Sequence, residues 1–420
     1  MFVNIISAIG NNSSVYPLLV RDCGIENVAK VTLTYKQNLK ESKEIAKHAL
    51  RERAIDEYGT SAVWLGGIPL IGKCCDYFIK RTGLSPYMNT KLLNETAQQG
   101  LEYNIKKFQD IAPESVSNLK KIKDNKTLFK KLAGAKFLAT TAIPIFLMGY
   151  VLPKLNFRYT KKKRDIELAQ KAKQNTAFGK NKYFKDKAFK SFEIFKNNKN
   201  GNLKNNLSFK GIEALSDFTS LQKMMILDGG LTVGRVGTGR NKAEKAEMFF
   251  KMAGMCYLNY VAPKSIEKGL NKLTKKIFNI NVDLDPKILA DKNFVKNIDK
   301  LEIPNKNILS YIDKNPNGMF SQLAEKSGII ERLKNGVRNP EKYVDLKKLE
   351  EFKTNLFQYV KTLKNSNAPQ QLAQKAFRAK SFNILANIII SSALLALALP
   401  KLQFMFRKAI TGSDLEPGIK

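Results

Sequence analysis

Two apolar runs constrain this chain more than anything else in it, and each is closed by nearly the same five residues. Phe137 to Leu152 carries no charged side chain and leads into Pro153-Lys154-Leu155-Asn156-Phe157. Phe382 to Leu399 is equally free of charge and leads into Pro400-Lys401-Leu402-Gln403-Phe404. Extended back to Gly134, the first run is about 19 residues, about 28 Å of helix, close to the thickness of a bilayer core. In lipid a backbone must satisfy its own N–H and C=O groups, so runs of this kind are helical. Two membrane-spanning helices are expected, with a buried helix of a soluble domain as the competing reading. Pro144 inside the first run is compatible with a span whose neighbours re-satisfy the backbone.

The shared ending is one of several signals that recur in order. Leu19-Val20-Arg21-Asp22-Cys23-Gly24-Ile25 is echoed by Ile226-Leu227-Asp228-Gly229-Gly230-Leu231. Moderately apolar segments near a proline follow, Ser61 to Pro69 and Met248 to Pro263. Polar inserts then open alike, with Leu84-Ser85-Pro86 and Leu284-Asp285-Pro286, where Ser or Asp before Pro reads as a helix cap. The pattern predicts a mainly α-helical membrane protein made of two tandem, pseudo-symmetric halves with soluble helical inserts. The period is far too long for a solenoid. The expected organisation is a first half over 1–160, a basic segment and linker over 161–210, a second half over 211–410 with a helical insert at 270–375, and a tail over 411–420. Pro286, Pro304, Pro316 and Pro340 divide that insert into short helices. The segments Ser61 to Ile79 and Met248 to Pro263 contain Lys73, Asp76, Lys251 and Asn259. They are expected to be partly embedded helices packed on the strong spans.

Polar residues punctuate both runs at helical spacing. Lys136, Thr140 and Pro144 fall four apart, as do Asn383, Asn387 and Ser391, which places each set on one face. Thr140, Asn383, Asn387 and Ser391 are therefore candidate intramembrane polar residues. Helix packing is the simpler role for them, and a transport path the sharper one.

Charge narrows the partners. The chain holds 72 Lys and Arg against 37 Asp and Glu, for a net charge of +35, and such a surface favours an anionic neighbour. Residues 161–210 concentrate the excess. Lys161, Lys162, Lys163 and Arg164 follow the first span, and Lys182, Lys190 and Lys196 lie away from a stripe that includes Phe184, Phe192 and Phe195. A basic amphipathic helix of that kind suits an anionic membrane surface. Nucleic acid ranks behind it, and other membrane proteins are further expected partners. A solvated helix with its phenylalanines in a small core accounts for the same pattern. The expected location is a membrane, a bacterial cytoplasmic one.

Catalytic chemistry is poorly supplied. Cys23, Cys74, Cys75 and Cys256 show no C-x-x-C spacing. His48, the only histidine, sits among Glu44, Lys47 and Arg51 and reads as a solvated helix residue. No enzyme activity, cofactor or metal site is expected. Asp313-Lys314-Asn315-Pro316-Asn317-Gly318 resembles half a calcium loop, but Ala324 stands where a bidentate Glu is needed. The best remaining candidate is an anion-binding loop built from Gly229, Gly230, Gly234, Arg235, Gly237, Gly239 and Arg240. It fails the nucleotide P-loop pattern because Arg240 and Asn241 replace Lys and Ser/Thr. Asp22 and Asp228 occupy matching places in the two copies. The expected function is a non-enzymatic membrane-organising or interaction protein contacting anionic headgroups. The alternatives are a transporter or channel with a site between the halves, and a soluble nucleic-acid binder.

Overall fold

A computed structural model describes residues 2–10, 19–95, 98–176, 215–216, 218 and 220–412. These residues are mainly helical, with no strand among them beyond one isolated bridge between Arg332 and Arg338. Six helical columns carry the fold. The first is Leu19–Glu26 continued by Asn27–Leu39, and the second is Lys43–Arg81. The third runs from Lys126 to Thr176, the fourth is Ser220–Thr238, and the fifth is Lys242–Tyr260 continued by Ala262–Phe278. The sixth is Pro369–Thr411. Each column packs on the next, and the sixth returns to the first, so the six close into a ring.

Local chemistry sets where the columns begin and bend. Ser42 caps the second column by accepting from the Ile45 amide, and Asn241 caps the fifth by accepting from the Glu244 amide. Three columns contain a five-residue π-helical turn, at Val63–Gly67, Leu147–Val151 and Leu394–Ala398. Each turn is followed, one residue later, by a proline: Pro69, Pro153 and Pro400. Proline has no N–H and its ring collides with the carbonyl four residues back, and a wider turn relieves that collision without ending the helix.

Among the described residues, three helices are long and apolar enough to cross a membrane: Lys43–Arg81, Lys126–Glu167 and Pro369–Thr411. The first exceeds the partly embedded segment expected over Ser61 to Ile79. Most of each apolar stretch faces outward. Leu70, Phe78, Phe146, Val233, Phe249, Ile389 and Met405 are all exposed, so the ring presents an apolar exterior.

Directions follow from the contacts. Thr140 meets Lys223, and Gly149 meets Gly234, so the third and fourth columns run the same way. Leu152 packs on Gly59 and Leu399 on Gly254. Asn156 and Gln403 then reach Glu52 and Glu247. The third and sixth columns therefore finish at one end of the ring.

The other end is covered by a cap to which both inserts contribute. Ile288, Phe294, Phe320, Leu356 and Tyr359 centre its larger core, and Leu92, Leu119, Ile122 and Phe129 a second one. Gln99 joins the inserts, donating to the Val344 carbonyl and accepting from the Val344 amide, both at 2.9 Å. Arg338, buried, donates to Asp313 at 2.7 Å and to Asn104 at 3.2 Å. That pairing commits the carboxylate of the half-calcium-loop. Asp285 caps the helix at Pro286 as expected. Ser85-Pro86 instead begins a turn, with the Ser85 hydroxyl donating to Glu341. The cap starts at Asn279, where the fifth column ends in a left-handed residue, and the sixth column begins at Pro369, inside the expected 270–375 insert.

Candidate functional site

The interior of the ring is charged where its exterior is apolar. Glu57 of the second column is buried against Lys251 of the fifth at 3.2 Å, Lys30 of the first at 3.7 Å and Arg53 at 3.1 Å. Lys30 is also paired with Glu26. Asp56 meets Arg235 of the fourth column at 2.8 Å, and Arg235 donates to Thr60 at 2.7 Å. A lone buried ion is expensive by several kcal/mol, so burial on this scale requires mutual pairing. Four columns supply these charges.

Two cavities flank the network. One of about 90 Å³ lies at the end where the apolar runs finish, and Pro153, Asn156, Phe157, Gln403 and Arg407 help to line it. There Arg407 donates to Glu247 at 2.8 Å, and Arg240 is paired with Glu52 and Glu244. The second cavity, about 190 Å³, lies between the first, second, fourth and fifth columns; Trp64, Asp228, Met252, Asn259 and Tyr260 are among its walls. Arg235 and Met252 line both cavities, so the Asp56–Arg235 pair stands in the partition between them.

The glycine-rich segment is not a loop. Gly229, Gly230, Gly234 and Gly237 lie within the helix Ser220–Thr238, whose backbone amides are committed to carbonyls four residues back. At the C-terminal end of a helix the unpaired groups are carbonyls, which repel anions. Gly239 lies between the fourth and fifth columns, Arg235 is taken up by Asp56 and Thr60, and Arg240 by Glu52 and Glu244. Gly230 and Gly234 serve packing instead, against Ile145 and Gly149; a Cβ on Gly234 would sit 2.9 Å from the Gly149 Cα, whereas one on Gly229 or Gly237 would meet nothing within 4 Å.

Three of the four intramembrane polar candidates reach neighbouring columns, and Ser391 bonds within its own helix. Thr140 is buried and accepts from Lys223 at 2.6 Å. Asn383 donates to Asn271 and Thr274, Asn387 to the Pro263 carbonyl, and Ser391 to the Ile388 carbonyl. None of these four lines the 190 Å³ cavity. Asp228 does, and accepts from the Tyr260 hydroxyl; the side chain of Asp22 lies outside the description. Lys161, Lys162 and Arg164 are exposed on the third column and Lys163 half-buried. Lys182, Phe184, Lys190, Phe192, Phe195 and Lys196 lie outside the described residues. His48 is a correction: it is buried, with Nε2 2.6 Å from Glu167 of the third column, because that long helix crosses over its face.

The sequence reading passed over Glu26, Lys30, Asp56 and Glu57, which lie in segments of mixed polarity. Lys251 and Asn259 carried the available signal, a charge and an amide inside an otherwise apolar stretch. Among the described residues, no group of three or more His, Cys, Asp or Glu is placed to hold a metal ion. The chain matches no known family, and comparison with curated proteins and with solved structures finds no similar chain.

Proposed function

We propose that this is an integral membrane protein in which two related halves form a six-column ring around a charged axis, and that the ring handles a small polar solute. The carrying observation is the inverted polarity: apolar side chains outside, paired charges and a cavity of about 190 Å³ inside. Polar and ionisable residues within a membrane bundle face its interior and mark solute paths, and paired halves with a site at their interface are common in transporters.

Three matched contacts support the relation between halves. Glu52, Gly59 and Asp76 of the second column stand 195 residues before Glu247, Gly254 and Asn271 of the fifth. Lys136, Leu152 and Asn156 of the third stand 247 residues before Asn383, Leu399 and Gln403 of the sixth. Each partner meets the corresponding residue: Lys136 with Asp76 and Asn383 with Asn271, Leu152 on Gly59 and Leu399 on Gly254, Asn156 on the Glu52 backbone carbonyl and Gln403 on the Glu247 carboxylate. The exposed lysines after the first apolar run suit anionic headgroups, in a bacterial cytoplasmic membrane.

Alkaline carbonate washing of membranes tests the reading. The full chain stays in the pellet if it is integral; release by salt alone refutes it. A second reading, a ring that docks on membranes or partner proteins without crossing, is favoured by one observation. Glu167 near Thr176 and Ser216 near Thr90 lie toward opposite ends of the ring, yet nine lysines lie between 177 and 215, and lipid does not admit them. Cysteines placed at Lys163 and at Lys91, probed with an impermeant thiol reagent on intact and opened vesicles, separate the two. Labelling from opposite sides supports crossing, and labelling from one side supports docking.

A further inference from the structure

Of the four carboxylates around the larger cavity, three form ion pairs among the described residues and one does not. Glu26, Asp56 and Glu57 are met by Lys30, Lys251, Arg53 and Arg235. Asp228, on the cavity wall, forms no ion pair among the described residues and receives only the Tyr260 hydroxyl. Arg235, two helical turns further along the same column, is committed to Asp56. Lys264 lines the same cavity but is exposed and makes no ion pair with Asp228. A second group is unsatisfied beside it: Oδ1 of Asn259, adjacent to Tyr260, is buried without a hydrogen-bond donor. A carboxylate lacking a cation and an amide oxygen lacking a donor ask for the same thing, a ligand that is positively charged and carries N–H groups.

The remaining walls describe the rest of that ligand. Trp64, Met252 and Met255 are apolar and polarisable, surfaces that favour a cation close to a ring face and an apolar body beside it. A cavity of about 150 Å³ accepts benzene, so about 190 Å³ has room for a ring bearing an aminomethyl group.

We propose that Asp228, Asn259 and Tyr260 form a binding site for a small organic amine, its ammonium held by Asp228 and Asn259 and its apolar body lying against Trp64, Met252 and Met255. This deepens the solute-handling reading and rests on it for biological sense, although binding itself needs no membrane.

Trp64 is the only tryptophan in the chain and lines the cavity, so its fluorescence reports occupancy. The full chain in detergent is titrated with cyclohexylmethylamine and with cyclohexylmethanol, a neutral analogue of the same shape. A saturable change with the amine, at least ten-fold weaker with the alcohol, is expected. Asp228→Asn is expected to weaken the amine ten-fold or more while keeping its helical content. Equal responses to amine and alcohol overturn the proposal with no variant required, as does a folded Asp228→Asn protein that binds the amine unchanged. Carbonate extraction is read separately, so loss of amine binding and loss of the membrane reading are distinguishable.

Discussion

The contact between Gly149 and Gly234 gives a prediction whose sign depends on the packing. A Cβ on Gly234 would lie 2.9 Å from the Gly149 Cα and 3.1 Å from its carbonyl carbon and oxygen. Carbon atoms in contact prefer about 3.5–4.0 Å, so the third and fourth columns must part by roughly 0.6–1 Å to admit alanine. Overpacking of this kind costs about 1–3 kcal/mol. Replacing a helical glycine by alanine returns roughly 0.5–1 kcal/mol by restricting the unfolded chain. The net expectation for Gly234→Ala is a loss of about 1 kcal/mol, within a range of about 0–2.5 kcal/mol. Gly229 lies on the same helix with nothing within 4 Å of its would-be Cβ, so Gly229→Ala should gain roughly 0.5–1 kcal/mol. Gly230 is also crowded: its Cβ would meet Cδ1, Cγ1 and Cγ2 of Ile145, a β-branched side chain with little rotamer freedom in a helix. Thermal unfolding of detergent-solubilised protein, followed by helical circular dichroism, should show a lower midpoint for Gly234→Ala and a higher one for Gly229→Ala, by about 1 °C per kcal/mol for a chain of this length. Equal midpoints, or a more stable Gly234→Ala, refute the claim that backbone contact joins these columns.

Three further outcomes follow from named contacts. Lys251→Met leaves Glu57 with Lys30 and Arg53, so the loss should lie near 3 kcal/mol, the low end of the ~3–5 kcal/mol for breaking a buried pair. Glu57→Gln alone should also destabilise, and the double variant should lose less than the sum of the two single losses in the same melting assay; additive losses argue against pairing. In the cap, burial pushes the Asp291 carboxyl up, but the Lys326 ammonium and the Phe294 and Asn293 amides outweigh it and hold it below the usual range. Its contribution is therefore complete above about pH 4, the unfolded value, and is lost as pH falls through the lower folded value. Asp291→Asn should flatten that acid limb, checked by melts between pH 2 and 6. Arg338→Met strands the buried Asp313 and should cost the cap about 3–5 kcal/mol, seen as faster hydrogen exchange over 280–364 than in the columns.

The two strong apolar helices were legible because an uninterrupted run without charge has few alternatives. The recurring pentads were legible too, but not their work: Asn156 and Gln403 reach glutamates in columns that periodicity did not single out. Glu57 and Lys251 were missed as a pair because they are 194 positions apart, and only the closing of the ring brings them to 3.2 Å. Gly229 to Arg240 misled because glycine is common both in phosphate loops and where helices touch; the neighbour that decides, Gly149, lies 85 positions earlier in the chain. His48 was misjudged for the same kind of reason, since Glu167 covers it from 119 residues away. Local charge describes a helix face; it does not reveal what later lies across that face.

The three π turns have a mechanical consequence. In such a turn the backbone closes through wider rings, and the proline beyond it donates nothing back. Each of these columns is thus weakest in bending at its own turn, and Val63 and Trp64 of one turn share an apolar cluster with Met148 of another. Slow amide exchange should therefore be interrupted at 63–67, 147–151 and 394–398. Above and below that latitude the columns behave as stiff segments, so any tilting of the capped end against the far end is borne there, beside the cavity walls.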